Sequence, residues 1–387
     1  MKKKIAIIGS TGSIGKTLLN ILIKEKKNFE ITLLAANNSS DVLLNQAKAF
    51  NVKNLILTNE KNYEILKKKT KNTNIKVFND FSQLNQIFKK KIDYVMSSIS
   101  GINGLDPTLK MIKFTKKIAI ANKESIICGW NLIEKELKKN KTEFTPVDSE
   151  HFSIWYGLKN LKKNNLEKVF LTASGGPFYK TPLNNFKDIE VSDALNHPNW
   201  KMGKKISTDS ATMINKVYEV IEAKKIFNID YQKIKILIHP KSYVHAILKF
   251  NNGLTNIIVH DTTMKVPIFN TLFLNTNRQL KTKKINTKIL NNLDLKSVNL
   301  NRFPMVRLLN FLPNMHSLFE TVVVASNDKL VELFLNKKIK FTDIQKKLFK
   351  IIKKKEFQKF KKISPKNITD ITNLNDYVRL KIDKNNI

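Results

Sequence analysis

Cysteine is almost absent from this chain of 387 residues: Cys128 is the only one. A lone thiol cannot close an internal disulfide, so the expected setting is a reducing, cytoplasmic compartment. Long apolar runs are missing too. No uninterrupted stretch approaches the roughly 18 residues of a membrane span, and no membrane partner is expected. The start, Met1-Lys2-Lys3-Lys4 followed by Ile5-Ala6-Ile7-Ile8, imitates a signal peptide. Its apolar part stops at Gly9-Ser10-Thr11-Gly12, too short for a secretory core. Acidic residues are scarce: 32 stand against 69 lysines and arginines, a formal charge of +37. That imbalance would suit a nucleic-acid binder. The lysines, however, fall in scattered triplets (67–69, 89–91, 353–355), and asparagine crowds almost every segment. This is the pattern of a biased overall composition, so no nucleic-acid partner is expected. A positive field would still attract an anionic substrate.

Apolar residues, at 42%, suffice for real cores, and the length suggests two or three domains. Strand patterns at 4–8, 30–35, 54–57, 92–96 and 117–121 alternate with helical ones at 15–23 and 43–50. Alternation of this kind argues for a parallel sheet covered by helices. It runs to about Asp148. Further on, 169–173, 234–238, 244–250 and 254–259 are strand-like, with a hairpin signal at Asn252-Gly253 and one helix over 211–227. Residues 275–299 are polar and read as a linker. Helical patterns follow at 303–311, 317–335, 342–355 and 374–380. The expected fold is α/β: a Rossmann-like parallel-sheet domain (1–148), a central α+β domain (149–274), the linker, and a small all-helical C-terminal domain (300–387).

Glycine is scarce as well, yet three of the eleven fall within seven positions, Gly9-Ser10-Thr11-Gly12-Ser13-Ile14-Gly15. They sit where the first strand ends and the first helix begins. Glycine turns the chain tightly and leaves room for a pyrophosphate, and the helix amides point at the anion. The alternative is an ordinary strand-to-helix loop. A carboxylate ending the second strand would bind the ribose hydroxyls of NAD. Here the strand runs out through Ala35-Ala36-Asn37-Asn38-Ser39-Ser40, with no acid before Asp41. The absence of repulsion favours NADP, although no arginine stands there to grip a 2′-phosphate.

Asp148-Ser149-Glu150 places carboxylates at i and i+2. In extended backbone these face one side, as a hard divalent cation requires. The run from Asp209 to Glu219 starts with N-cap residues and reads on as a helix. Asn215, Lys216 and Glu219 then share one face. The plain alternatives are solvated turn acids, a cap at Ser210 and a surface ion pair. Thr172-Ala173-Ser174-Gly175-Gly176-Pro177-Phe178 is a second glycine turn, suited to a phosphate or hydroxyl or simply ending a strand. The loop His197-Pro198-Asn199-Trp200-Lys201-Met202-Gly203-Lys204 exposes Trp200 and Met202, and suits either a lid or an apolar anchor.

At these residues the sequence resembles the 1-deoxy-D-xylulose 5-phosphate reductoisomerases. The resemblance rests on the GSTGSIG turn from Gly9 to Gly15, Ala121-Asn122-Lys123-Glu124, Pro146-Val147-Asp148-Ser149-Glu150, Ser174 to Phe178, the loop from His197 to Gly203, and Asp209 to Glu219. It spans nearly the whole chain. It implies NADPH, a divalent metal (Mg, Mn or Co), a phosphorylated sugar substrate and a homodimer, with the nucleotide on 1–148 and catalysis and dimerisation on 149–274. The reaction implied is rearrangement and reduction of the ketose phosphate to 2-C-methyl-D-erythritol 4-phosphate. Asp148, Glu150 and Glu219 would hold the metal. Lys123, Ser149, Glu150, Ser174, His197, Ser210, Asn215, Lys216 and Glu219 would contact substrate, with His197 arriving only on closure of the lid. Thr11, Gly12, Ser13, Ile14, Ala36, Asn37, Asn38, Asn122, Glu124 and Gly203 would line the cofactor site. The chain departs from the family at Asn37, where lysine is frequent, and at Val217, where glycine is usual. Aspartate-semialdehyde dehydrogenases share the glycine turn but need a nucleophilic cysteine. Cys128 lies in an apolar run with no histidine nearby.

Overall fold

The computed structural model describes residues 2–159, 161, 165–200 and 202–384. Lys201 of the loop and the last three residues of the C-terminal region lie outside the described residues. The chain divides into two compact units: Met1–Ser125, Asn131–Asp148 and Met264–Leu280 form one, and Ile126–Trp130, Ser149–Thr263 and Lys281–Ile387 the other.

The first unit is built on seven strands: β1 Lys3–Ile8, β2 Phe29–Ala36, β3 Asn54–Leu57, β4 Lys76–Phe78, β5 Tyr94–Ser97, β6 Lys117–Ile120 and β7 Glu143–Pro146. Their spatial order is β4-β3-β2-β1-β5-β6-β7, paired in parallel throughout. Parallel strands are buried on both faces, so they are written as continuous apolar runs. Ile5, Ala6, Ile7 and Ile8 accordingly have no exposed surface. Strands β4 and β7 escape a sequence reading because one is three residues long and the other ends in proline.

The strand order reverses between β1 and β5, and open sheets of this kind bind ligands beyond the strand ends at such a reversal. The first glycine turn lies there. Gly9 has φ +87°, and a Cβ on it would lie 2.7 Å from the Ser98 carbonyl carbon. A Cβ on Gly15 would meet Ser10 Cα at 2.5 Å, so the helix Ser13–Leu22 could not start so close to the turn. Gly12 caps that helix without a side-chain bond of its own. Buried Ser10 is tied down twice: its Oγ donates to Gln46 Oε1 (2.8 Å), and Gln46 Nε2 donates to its carbonyl (3.0 Å).

The sequence grouped residues up to 274 with the middle domain. In the structure the helix Lys265–Phe273 packs in the first unit, against the helix Ser13–Leu22. Ile268 and Phe273 enter its core, and the Tyr94 hydroxyl hydrogen-bonds Thr271 (2.7 Å). An apolar helix face does not state which of two sheets it will cover.

The second unit holds β8 Leu166–Ala173, β9 Ile234–Ile238, β10 Val244–Phe250, β11 Thr255–Val259 and β12 Lys296–Ser297, in the order β11-β10-β8-β9-β12. Strands β8 and β9 run parallel and the other pairs antiparallel. Gly253, with φ +84°, turns the β10–β11 hairpin. The polar stretch 275–299 contributes β12 and a short helix, Thr287–Leu290. The C-terminal helices gather on Phe319–Leu335, whose residues are buried nearly all round. The single helix expected over 211–227 is two: Lys204–Ala211 and Ile214–Phe227, broken at Met213 with φ +65°. Asp209 and Ser210 therefore end the first helix rather than cap the second. Among the described residues, no helix is long and apolar enough to cross a membrane.

Gly9→Ala would force a left-handed backbone on alanine and a clash on Ser98. A loss of about 1–3 kcal/mol in stability is expected from the backbone strain alone. A urea midpoint equal to that of the wild type would contradict this placement of the turn.

Candidate active site

The helix Ser149–Gly157 begins with two of the proposed site residues. Asp148 and Glu150 are thus not on extended backbone, as their i, i+2 spacing suggested. Asp148 precedes the helix and Glu150 lies in its first turn. Ser149 Oγ donates to Glu150 Oε2 (2.5 Å). Glu219 comes from the buried helix Ile214–Phe227, and Glu150 and Glu219 each offer a carboxylate oxygen within 4.8 Å of the other. Lys216 Nζ donates to Glu150 Oε1 (2.6 Å) and also to Glu219 Oε2. Asn215 Nδ2 donates to the other Glu219 oxygen (2.6 Å). The face predicted for Asn215, Lys216 and Glu219 is therefore real, and it is buried rather than a surface ion pair. Burial opposes the Lys216 charge, but Glu150 and Glu219 outweigh it and hold the ammonium above its ordinary range. Val217 packs in the core with no exposed surface.

The second glycine turn also belongs here. Gly175 and Gly176 have φ +87° and +66°, and a Cβ on Gly176 would lie 2.9 Å from the Ser210 carbonyl oxygen. The missing side chain thus lets the Ser174 turn close onto Ser210. Ser174 Oγ accepts from the Gly176 amide (3.1 Å) and lies 3.2 Å from His197 Nε2. His197 Nδ1 accepts from the amides of Asn199 (3.2 Å) and Trp200 (3.0 Å), which leaves Nε2 as the protonated nitrogen facing Ser174. Burial pushes His197 down to about 4. One expectation is corrected: Trp200 and Met202 are half-buried rather than exposed. His197 lies against Ser174 in this structure. Trp200 stands edge-on to His245. Gly203 caps the helix Lys204–Ala211, is exposed, and has open space around it.

In the first unit, Thr11, Gly12, Ser13 and Ile14 line the accessible side of the glycine turn, while Ala36 ends β2 and Asn37 and Asn38 follow it. Asn37 Nδ2 donates to Thr58 Oγ1 (2.8 Å), and Asn62 Nδ2 donates to the Asn38 carbonyl (2.9 Å). Asn122 caps the helix Lys123–Asn140: its Oδ1 accepts from the Ser125 amide (2.6 Å) and its Nδ2 donates to the Gly101 carbonyl (2.7 Å). Buried Lys123 pairs with Asp148, and Glu124 beside it is also buried.

Sequence reading did not single out His151, His245, His260 or Gln46. His151 is fully buried, and its Nε2 donates to the Glu219 carbonyl (2.8 Å). Its position next to Glu150 was the available signal. Cys128 is buried, and burial pushes its thiol well above the ordinary range, which removes it as a nucleophile.

The family model for 1-deoxy-D-xylulose 5-phosphate reductoisomerase matches residues 5–129. A model of that enzyme's C-terminal domain matches 144–227, and a model described as the DXP reductoisomerase C-terminal domain matches 260–381. The 1-deoxy-D-xylulose 5-phosphate reductoisomerase of Pelagibacter ubique is 61% identical over 382 residues, 98% of each chain. That of Clostridium kluyveri is 38% identical over 345 residues, 88% of this chain and 90% of the relative. Among solved structures, the enzyme of Zymomonas mobilis in complex with NADPH superposes with a TM-score of 0.88 at 28% identity, covering 99% of both chains. A DOX-P reductoisomerase in complex with NADPH, fosmidomycin and magnesium gives 0.89 at 28% identity, again over 99% of both.

An ordinary histidine protonates near 6.5, so between that pH and about 4 the unfolded chain takes up a proton that folded His197 refuses. Stability should fall with pH across this window, and His197→Asn should flatten part of the fall. The ring is only partly buried, so the effect is moderated by solvent. An NMR titration in which the His197 ring protonates above pH 6 would contradict the buried, neutral assignment.

Proposed function

The chain belongs to the 1-deoxy-D-xylulose 5-phosphate reductoisomerase family, and from that premise we propose how its residues divide the work of the family's reaction. The enzyme converts 1-deoxy-D-xylulose 5-phosphate to 2-C-methyl-D-erythritol 4-phosphate, with NADPH and a divalent metal, in isoprenoid precursor synthesis.

Asp148, Glu150 and Glu219 hold the metal. The observation that carries this assignment is the buried cluster around Lys216. Two carboxylates so close and so buried demand positive charge, and their hard oxygen donors suit Mg or Mn. When bound, the metal supplies a Lewis acid for adjacent oxygens of the ketose, and NADPH supplies the hydride. Ser174, Ser210, Asn215 and Lys216 provide three neutral donors and one cation for the sugar phosphate. His197, neutral near pH 7, donates one hydrogen bond through Nε2 and adds no charge. Ser149 and Lys123 orient the sugar oxygens. The loop carrying Trp200 and Met202 keeps water from the aldehyde intermediate.

The dinucleotide lies on Thr11, Gly12, Ser13 and Ile14, with its pyrophosphate at the amides that open the helix Ser13–Leu22. A Cβ at Gly9 or Gly15 would destroy that cradle. Ala36, Asn37 and Asn38 face the adenosine end, and Asn122 and Glu124 complete the first unit's share of the pocket. We place the enzyme in the cytoplasm as a homodimer. Supporting the dimer, β11 is an edge strand that exposes Ile257 at 48% of its surface, next to Leu254 just before it at 64%.

The central test follows NADPH absorbance with 1-deoxy-D-xylulose 5-phosphate and Mg or Mn. A fall that a chelator abolishes is expected, and a folded enzyme with no fall sinks the reading. Glu219→Gln should lower kcat/KM by about a hundredfold or more; full activity would remove the metal assignment alone. In place of NADPH, NADH measures what the neutral Asn37 contributes, and a preference on the order of tenfold to a hundredfold for NADPH is expected. Sedimentation should show a dimer that Ile257→Lys weakens. A monomeric wild type would rule out the homodimer.

A further inference from the structure

His197, Asn199 and Trp200 each have an anchor, and two of the three anchors lie just before β10 and in its first residues. His197 meets Ser174. Asn199 Nδ2 donates to the Pro240 carbonyl and to Ser242 Oγ, both at 2.8 Å. Trp200 sets its edge against His245, with ring centroids 6.5 Å apart and planes at 74°. Behind this seat stands the segment that follows β11. Thr262 Oγ1 donates to the Ser242 carbonyl (3.0 Å), and His260 stacks face to face on His245 at 3.6 Å and 10°. Backbone carbonyls fix both rings. His245 Nε2 donates to the His260 carbonyl (3.3 Å), and His260 Nδ1 donates to that of Asp261 (2.8 Å). Rings in contact at this distance cannot turn independently. His245 is itself 2% exposed and has nowhere to move.

We propose that His260 is a positioning residue for the reaction. It fixes the plane of His245, which seats Trp200, and the seated loop keeps His197 on Ser174. The proposal rests on the reading of this loop as the cover of the substrate site. His260 supplies a flat surface rather than a charge, so another flat ring can replace it.

The test compares His260→Ala with His260→Phe. His260→Ala should raise the KM for 1-deoxy-D-xylulose 5-phosphate about threefold to tenfold, the value of one lost ring contact, and leave kcat within about twofold. His260→Phe should restore the wild-type KM. Trp200 emission, taken as the difference from a Trp200→Phe background, should shift to the red in His260→Ala without any substrate present. That measurement needs no turnover, so it stands even if the assigned reaction fails. Wild-type KM and emission in His260→Ala would overturn the proposal, as would a His260→Phe enzyme as impaired as the alanine variant.

Discussion

Two carboxylates buried side by side repel each other, and burying each costs several kcal/mol unless positive charge joins them. Lys216 supplies that charge to Glu150 and Glu219, from the same helix as one and across the unit from the other. Much of the second unit is arranged to permit this. Met213 breaks the chain in a left-handed conformation so that the helix Ile214–Phe227 can start where Asn215 and Lys216 face inward. His151 holds the Glu219 backbone from the neighbouring helix. The glycine pair after β8 lets the turn at Gly176 close onto the Ser210 carbonyl, in the last turn of the preceding helix. A buried ion pair of this kind is poor as a source of stability. On the proposed assignment it is a charged site kept folded for a cation and a phosphate.

The first unit solves a different problem with different means. A dinucleotide pyrophosphate needs amides and open space rather than side chains. Gly9 and Gly15 remove the atoms that would block the turn, and the pair between Ser10 and Gln46 holds what remains in place. The end of β2 is tied by neutral amides and hydroxyls, from Asn37 to Thr58 and from Asn62 to Asn38. In a chain with this excess of lysine, Ala36, Asn37 and Asn38 are all neutral, so abundance of a charge does not decide where it is used.

The loop around Trp200 links the chemistry to the sheet. Its anchors lie on Ser174, Ser242 and His245, and the segment that follows β11 braces the last two through Thr262 and His260. The β10–β11 hairpin therefore presents an apolar strand edge along β11 and, at its far end, a seat for the loop.

Local signals were legible where function constrains neighbouring residues. The glycine turn, the paired acids Asp148 and Glu150, and the Asn215–Glu219 face are short-range patterns, and the periods of strand and helix expose them directly. The alternation of strand and helix likewise determined the parallel sheet. Three things were decided only by the tertiary structure. The helix Lys265–Phe273 chose the first unit, because its apolar face fits a core formed by strands far earlier in the chain. The Ala211–Phe227 pattern broke at Met213, because inward placement of Lys216 outweighed helical continuity. His245 and His260 stacked, because antiparallel pairing brings together residues whose separation along the chain carries no periodic mark. Sequence alone could name the groups proposed to hold charge and phosphate, since those act through their immediate neighbours. Which groups position them depends on contacts between distant segments, and only the folded chain makes those contacts.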